Sequence, residues 1–205
     1  MTKKDAPRGE YENDPDTRLM MRLAAGDESA FDRIVGNFER QVYGIIYRYV
    51  GDTAAAEDCA QEVFLRLYKT RKTYKPTARL STLIYRITTN LCLNLVRDEK
   101  RRQMVSLDAD YGDDTSPLSA LVAAEGEAAD EAALAKERGA IVRAALAGIP
   151  DRQRMALVLH RFEGLSYADI AEAMDTNVDA VKALLSRARR SLAEALRADI
   201  EAGNL

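Results

Sequence analysis

The chain has 205 residues, 47% of them hydrophobic and 31% charged, with a formal net charge of −3. That balance belongs to a folded protein of one large or two small domains and excludes a disordered chain. One histidine and two cysteines, Cys59 and Cys92, with no CxxC spacing, leave little for a zinc site, a disulfide framework or nucleophilic catalysis, so no metal, no cofactor and no enzyme activity is expected.

The opening MTKKDAPRGEYENDPD lacks the apolar core of a secretory signal, and 1–16 reads as a disordered polar tail. The longest stretches free of charge, 87–96 and 115–124, fall well short of the about 20 apolar residues of a membrane span, so a cytoplasmic protein is expected. Pro7, Pro15, Pro76, Pro117 and Pro150 fall between apolar-periodic segments, and no run alternates with period two; helices and no strands are predicted. The first helix covers 17–25. Gly26-Asp27 breaks it, and Asp27 caps the next. That second helix carries Phe31, Ile34, Val35, Phe38, Val42, Ile45, Ile46 and Tyr49 at three- and four-residue steps, one buried stripe, and ends at Gly51-Asp52-Thr53. A third, over 53–71, buries Ala60, Val63, Phe64 and Leu67. The loop TRKTYKPTAR leads to a fourth over 80–102, with Leu80, Ile84, Ile87, Leu91 and Leu95 as its stripe.

Residues 104–135 hold eight acids and no Lys or Arg. The segment 104–132 reads as a flexible acidic linker, with an apolar patch at Leu118, Leu121 and Val122 suited to a docking turn. With it set aside, basic residues outnumber acidic ones, and two basic runs close helical patterns: Arg97, Lys100, Arg101, Arg102, and Lys182, Arg187, Arg189, Arg190. Helices follow at 133–147, 151–162, 166–174 and 177–199. The predicted fold is all-α: two small helical domains, 17–103 and 133–200, joined by the acidic tether.

Residues 163–192 carry a helix-turn-helix signal. Gly164 closes one helix, Ser166 caps the next with Asp169 as capping-box partner, and Leu165, Ile170, Ala171 and Met174 face inward. Asp175-Thr176-Asn177 turns the chain, with Thr176 or Asn177 capping a last helix that buries Val178, Val181, Leu185, Ala188 and Leu192. Small Ala168 and Ala171 suit a close helix crossing. The outer face shows Asp179, Lys182, Ala183, Ser186, Arg187 and Arg190, the face such a motif sets into the major groove. On the fourth helix Arg86, Asn90, Asn94, Arg97 and Arg101 make a polar face whose amides suit unpaired base edges and whose arginines suit phosphates. The preceding loop adds Lys69, Arg71, Lys72, Lys75, Arg79 and Tyr74, basic residues with an aromatic ring for a splayed-out base. On the third helix Asp58, Gln61, Glu62 and Leu65 form an exposed ridge suited to a partner helix. Tyr43, Tyr47 and Tyr49 read as core or partner contacts, His160 as structural, and the cysteines as helix packing.

The whole pattern resembles a bacterial extracytoplasmic-function (ECF) RNA polymerase sigma factor of the sigma-70 family. The resemblance rests on GDESAFDRIV (26–35), DTAAAEDCAQEVFLRLY (52–68), STLIYRITTNLCLNLVRDEKRR (81–102), IPDRQRMALVLHRFEGLSYADIAEAM (149–174) and VDAVKALLSRARRSL (178–192), in order and with a linker at the right place. It implies that 17–103 is sigma region 2 and 133–200 sigma region 4. It implies a chain that binds core RNA polymerase, at the β′ coiled coil and the β flap, and directs it to promoter DNA without catalysing anything. Asp58, Gln61, Glu62, Phe64 and Leu65 would dock the β′ coiled coil. Tyr74, Arg86, Asn90, Asn94, Arg97 and Arg101 would bind the −10 element, and Lys182, Ala183, Ser186, Arg187 and Arg190 the −35 element. An anti-sigma factor is the implied inhibitor, and free protein is expected to pack its domains together and hide the DNA faces. The sequence departs from the family pattern at Leu83, where Trp is common, at Ala183-Leu184, where Ser-Arg is common, and at Asp179 in place of Gly, so an unusual −35 preference is expected. The rival readings are a stand-alone helix-turn-helix regulator, which would bind duplex as a symmetric dimer, and a protein-binding helical adaptor.

Overall fold

The structure of the protein, a computed structural model, describes residues 11–106 and 129–203. Residues 1–10 and the centre of the acidic linker, with its Leu118–Val122 patch, lie outside the described residues.

The first helix, α1 (Pro15–Ala24), begins inside what reads as tail. The Asp14 carboxylate accepts from the Thr17 amide at 2.9 Å and the Thr17 hydroxyl at 2.8 Å, and Pro15 occupies the first turn, where its missing N–H costs nothing. Arg18 reaches back to the Glu12 carbonyl and the Asn13 side chain, which fixes the turn over 11–14. The polar composition of this stretch conceals a cap signal, Asp-Pro-Asp-Thr.

Helix α2 (Ser29–Val50) follows a break in which Asp27 accepts from the Ser29 amide and pairs with Arg22. It buries Ile34, Phe38, Val42, Ile45, Ile46 and Tyr49 and ends at Gly51 with φ 86°, a left-handed turn that glycine adopts without strain. Asp52 caps α3 (Thr53–Thr70) through the Ala55 amide at 2.6 Å. A single 3₁₀ turn, Arg71–Thr73, opens the loop to α4 (Leu80–Ser106). The second unit consists of α5 (Ala129–Ala147), α6 (Asp151–Arg161), α7 (Tyr167–Ala173) and α8 (Val178–Glu201). No strand occurs among the described residues. Both flanks of the predicted linker are helical, since α4 runs on to Ser106 and α5 starts at Ala129.

The fourth helix differs from its predicted stripe. Leu80 and Ile84 are buried, but Ile87, Leu91 and Leu95 are only half-buried, whereas Tyr85, Thr88, Thr89 and Cys92 are covered. The reason is that α4 is packed on two sides, by α2 and α3 on one and by α6 and α7 on the other. Thr88 tolerates burial because its hydroxyl donates to the Ile84 carbonyl at 2.9 Å. The packing of α4 and α2 against α6 and α7 joins the two helical units along a seam. In that seam the Arg154 guanidinium lies 4.3 Å from the centre of the Tyr49 ring, and Arg48 lies 4.8 Å from the centre of Phe162. Arg48 also pairs with Glu163 at 3.6 Å.

The seam has a pH signature. Burial pushes the phenols of Tyr49 and Tyr85 up to about 12; for Tyr85 the Glu163 and Asp169 charges add to the effect. The folded chain therefore holds these protons more tightly than the unfolded chain, whose tyrosines ionise near pH 10. Their contribution to stability is full below that pH and falls as pH rises through it. A titration followed by phenolate absorbance is expected to show a late fraction, lost in a variant whose units have separated. A single ordinary transition in the intact protein would contradict the seam.

Candidate nucleic-acid interface

The helix-turn-helix is built from local signals. The Ser166 hydroxyl donates to the Asp169 carboxylate at 2.6 Å and accepts from the Asp169 amide at 3.2 Å, while the Ser166 amide donates to the same carboxylate at 3.3 Å. That reciprocal capping box starts α7. Asp175 turns the chain at φ 48°, a left-handed conformation that Asp tolerates, and the Thr176 amide closes onto the Ala171 carbonyl at 2.9 Å. Of the two candidate caps for α8, Asn177 is the one used, accepting from the Ala180 amide at 2.8 Å.

Ile170, Ala171, Ala173, Met174, Val181, Leu185 and Ala188 form the buried contact of α7 with α8. Two expectations fail here. Val178 is 38% exposed, because it sits in the first turn of α8 beyond the crossing, and Ala168 is exposed rather than at the crossing, where Ala171 and Ala173 lie instead. Lys182, Ala183, Ser186, Arg187 and Arg190 are all exposed on one side of α8, and Leu184 is half-buried against the core. Lys182 pairs with Asp179 at 3.1 Å. The Asp179 carboxylate places a negative charge beside Lys182 that opposes an approaching phosphate. His160 is structural: its Nδ1 lies 3.1 Å from the Leu165 carbonyl, and its ring meets Tyr167 edge-on.

On α4, Arg86, Asn90, Asn94, Arg97 and Arg101 are exposed along one face. The arrangement of the two units leaves the side chains of both faces exposed; the residues of α4 that packing covers, Tyr85 and Cys92 among them, are not on its amide-and-arginine face. Packing thus fixes the relative placement of the two faces without hiding their side chains, unlike the expectation. Tyr74 does not stand free. It is half-buried against the core, its hydroxyl is inaccessible beside Thr17, and burial raises its pKa. As a base platform it would first have to swing out.

The α3 ridge has Asp58 and Gln61 exposed, Glu62 half-buried and Leu65 52% exposed, an unusual position for a leucine. Phe64, beside the ridge, is buried at 8%, as its predicted place in the apolar stripe of α3 requires. Glu62 accepts from Arg66 Nε at 2.6 Å, and that bond holds its carboxyl below the usual range. A shallow cleft of about 500 Å³ runs between this ridge and the α4 face, lined by Asp58, Glu62 and Arg66 on one side and Asn94, Arg97 and Arg102 on the other. Arg66 escaped the sequence reading; its signal is the Glu-to-Arg spacing of four on one helix face.

Residues 34–102 match the family Sigma-70 region 2, and residues 140–192 match Sigma-70, region 4. The RNA polymerase sigma-H factor of Pseudomonas aeruginosa is 32% identical over 186 residues, which span 89% of this chain and 94% of that protein. The ECF RNA polymerase sigma factor SigW of Bacillus subtilis is 31% identical over 181 residues, 88% of this chain and 96% of that protein. Among solved structures, CnrH in complex with the cytosolic domain of CnrY superposes with a TM-score of 0.64 at 20% identity, over 90% of this chain and 98% of that one. The sigma factor RpoE in complex with the anti-sigma factor NepR from Bartonella quintana gives 0.63 at 20% identity, over 82% and 98%. The likeness in structure fixes the all-α, two-unit fold, and with the sequence matches it leads to one conclusion: the chain belongs to the ECF RNA polymerase sigma factors of the sigma-70 family.

Proposed function

We propose that the chain joins core RNA polymerase and directs initiation at promoters whose −10 element is read by α4 and whose −35 element is read by α8. The observation that carries this reading is the pair of exposed faces, amide-and-arginine on α4 and basic on α8, in one chain whose two units match regions 2 and 4. Region 2 is assigned to 17–103 and region 4 to 133–200, with the acidic segment between them as tether. On α4, Asn90 and Asn94 would meet unpaired base edges while Arg86, Arg97 and Arg101 hold phosphates. On α8, Arg187 and Ser186 would reach base edges while Lys182 and Arg190 meet the backbone.

The ridge of Asp58, Gln61, Glu62 and Leu65 would seat the β′ coiled coil, and the second unit the β flap. Polymerase forms the phosphodiester bond; this chain supplies position alone, and it works in the cytoplasm, where polymerase is. A protein inhibitor of the anti-sigma class is part of the proposal, supported by RpoE of Bartonella quintana, a sigma factor of the same fold solved with such a partner. The exposed Leu65 supplies the sharpest test. Leu65→Arg is expected to abolish co-purification with core polymerase while leaving the thermal melt within about 0.5 kcal/mol of the parent, because a surface site off the core tolerates charge. Undiminished co-purification would remove the ridge from the interface.

A further inference from the structure

The first helix meets the fourth through a buried hydroxyl. Thr17, fully covered, donates to the Asp14 carboxylate at 2.8 Å and accepts from the Leu80 amide at 3.1 Å. Leu80 is the first residue of α4 and is itself covered. The Arg79 carbonyl accepts the opening helical bonds, from the Thr82 and Leu83 amides, so the Leu80 amide is one of the donors that a helix start leaves without an intrahelical partner. A side chain 63 residues away meets it instead. The bond has a direction. Because the Thr17 proton is committed to a carboxylate, the oxygen offers its lone pairs to the Leu80 N–H, and the charge on Asp14 strengthens both links.

The same helix holds the other end of the loop between α3 and α4, since α1 also packs against the 3₁₀ turn Arg71–Thr73. There the Arg71 guanidinium lies 3.6 Å from the centre of the Tyr68 ring and donates to the Tyr68 carbonyl at 2.9 Å, while the Tyr68 hydroxyl donates to the Glu28 carboxylate. Between the two anchor points Lys72, Lys75 and Arg79 stand exposed, and Tyr74 is half-buried with its hydroxyl sealed from solvent. The backbone bonds inside this stretch are local: the Tyr74 amide to the Arg71 carbonyl, and the Thr77 amide to the Lys75 carbonyl. What sets the loop against the α4 face is therefore what holds its ends.

We propose that Thr17, oriented by Asp14, is a positioning residue for promoter reading: it clasps the end of the loop to the start of α4, so that Lys75 and Arg79 present one rigid surface with Arg86 and Asn90 to an unpaired strand. The proposal rests on the reading of α4 as the −10 reader. A side chain without the hydroxyl leaves the Leu80 amide buried and without an acceptor, which shifts the loop end about tenfold toward release.

The test compares the full chain with Thr17→Val, which replaces the hydroxyl by a methyl, and Thr17→Ser, which keeps it. In the free chain, hydrogen–deuterium exchange over 71–82 is expected to quicken about tenfold in Thr17→Val, with the amides of α2 and α8 unchanged, and to return to the parent rate in Thr17→Ser. With core polymerase on a double-element promoter that the parent opens, permanganate reactivity of the −10 thymines is expected to fall by a similar factor in Thr17→Val and to recover in Thr17→Ser, while protection of the −35 element holds. Exchange unchanged over 71–82, or quickened equally across α2, would overturn the clasp. Quickened exchange at the loop with undiminished −10 opening would overturn its part in reading DNA. A parent chain that opens no promoter contradicts the −10 reading instead, and exchange still decides the clasp. Where Thr17→Val fails to fold, Thr17→Ala carries the same readouts.

Discussion

Arg187→Ala is expected to weaken promoter binding by the polymerase complex by about 1–3 kcal/mol, roughly 5- to 150-fold, with the loss concentrated at one base pair of the −35 element. Arg187 lies exposed beside Ser186 on the outer side of α8, while the opposite side of that helix is spent on Val181, Leu185 and Ala188 in the core. Its removal therefore costs recognition and little stability. Lys182 is expected to behave otherwise. It is already paired with Asp179, and as a phosphate contact its loss should weaken all promoters alike and lower the salt slope by about one. Titration of the complex against promoters altered singly across the −35 element separates the two. An Arg187→Ala loss spread evenly over all sequences would place that side chain on phosphate and leave base reading elsewhere.

Arg154→Ala is expected to open the seam between the two helical units, and here competing effects must be weighed. The side chain is 7% exposed, it lies over the Tyr49 ring, and its Nε has no hydrogen-bond partner. Truncation to alanine loses a desolvated cation–π contact of about 2 kcal/mol. It also loses the packing of a buried stem, about 2 kcal/mol for three methylenes. Against this, it relieves an unpaired buried donor that costs about 1–3 kcal/mol. The net is about 2 kcal/mol toward the open form, roughly 30-fold in the closed-to-open ratio. Arg154→Met keeps the stem, loses the cation–π contact and relieves the same donor, so it should sit near the parent. Small-angle scattering is the measurement. A larger radius of gyration for the alanine variant alone, with helix content preserved, is expected, and an unchanged radius would mean that other contacts hold the seam. If polymerase takes the open form, apparent affinity for core should rise by up to the same factor, since the population of the competent state limits binding.

Much of this architecture is legible in the residues because it is set locally. The stripe of α2, the Ser166–Asp169 capping box, the glycine at 51 and the outer face of α8 each follow from spacing along one helix. What escapes are features that depend on which neighbour covers a face. Tyr85, Thr88 and Thr89 lie outside the predicted apolar stripe of α4, and their burial reflects packing of that helix by α6 and α7 as well as by α2 and α3. Tyr74 suits a ligand surface by residue type, but the core claims most of it. The pairing of Arg48 with Glu163 joins separate elements at a register that no single-helix periodicity contains. Within the described part of the tail, the Asp14 cap was in plain view, outweighed by polar composition.

Run-off transcription with purified core polymerase, with and without the chain, across a library of double-element promoters is the direct measurement of the central claim. The expected result is product that appears only when the chain is added, and only from templates carrying both a −10 and a −35 element at a fixed spacing. A chain that never joins core polymerase, yet binds intact duplex tightly and specifically by itself, would contradict it.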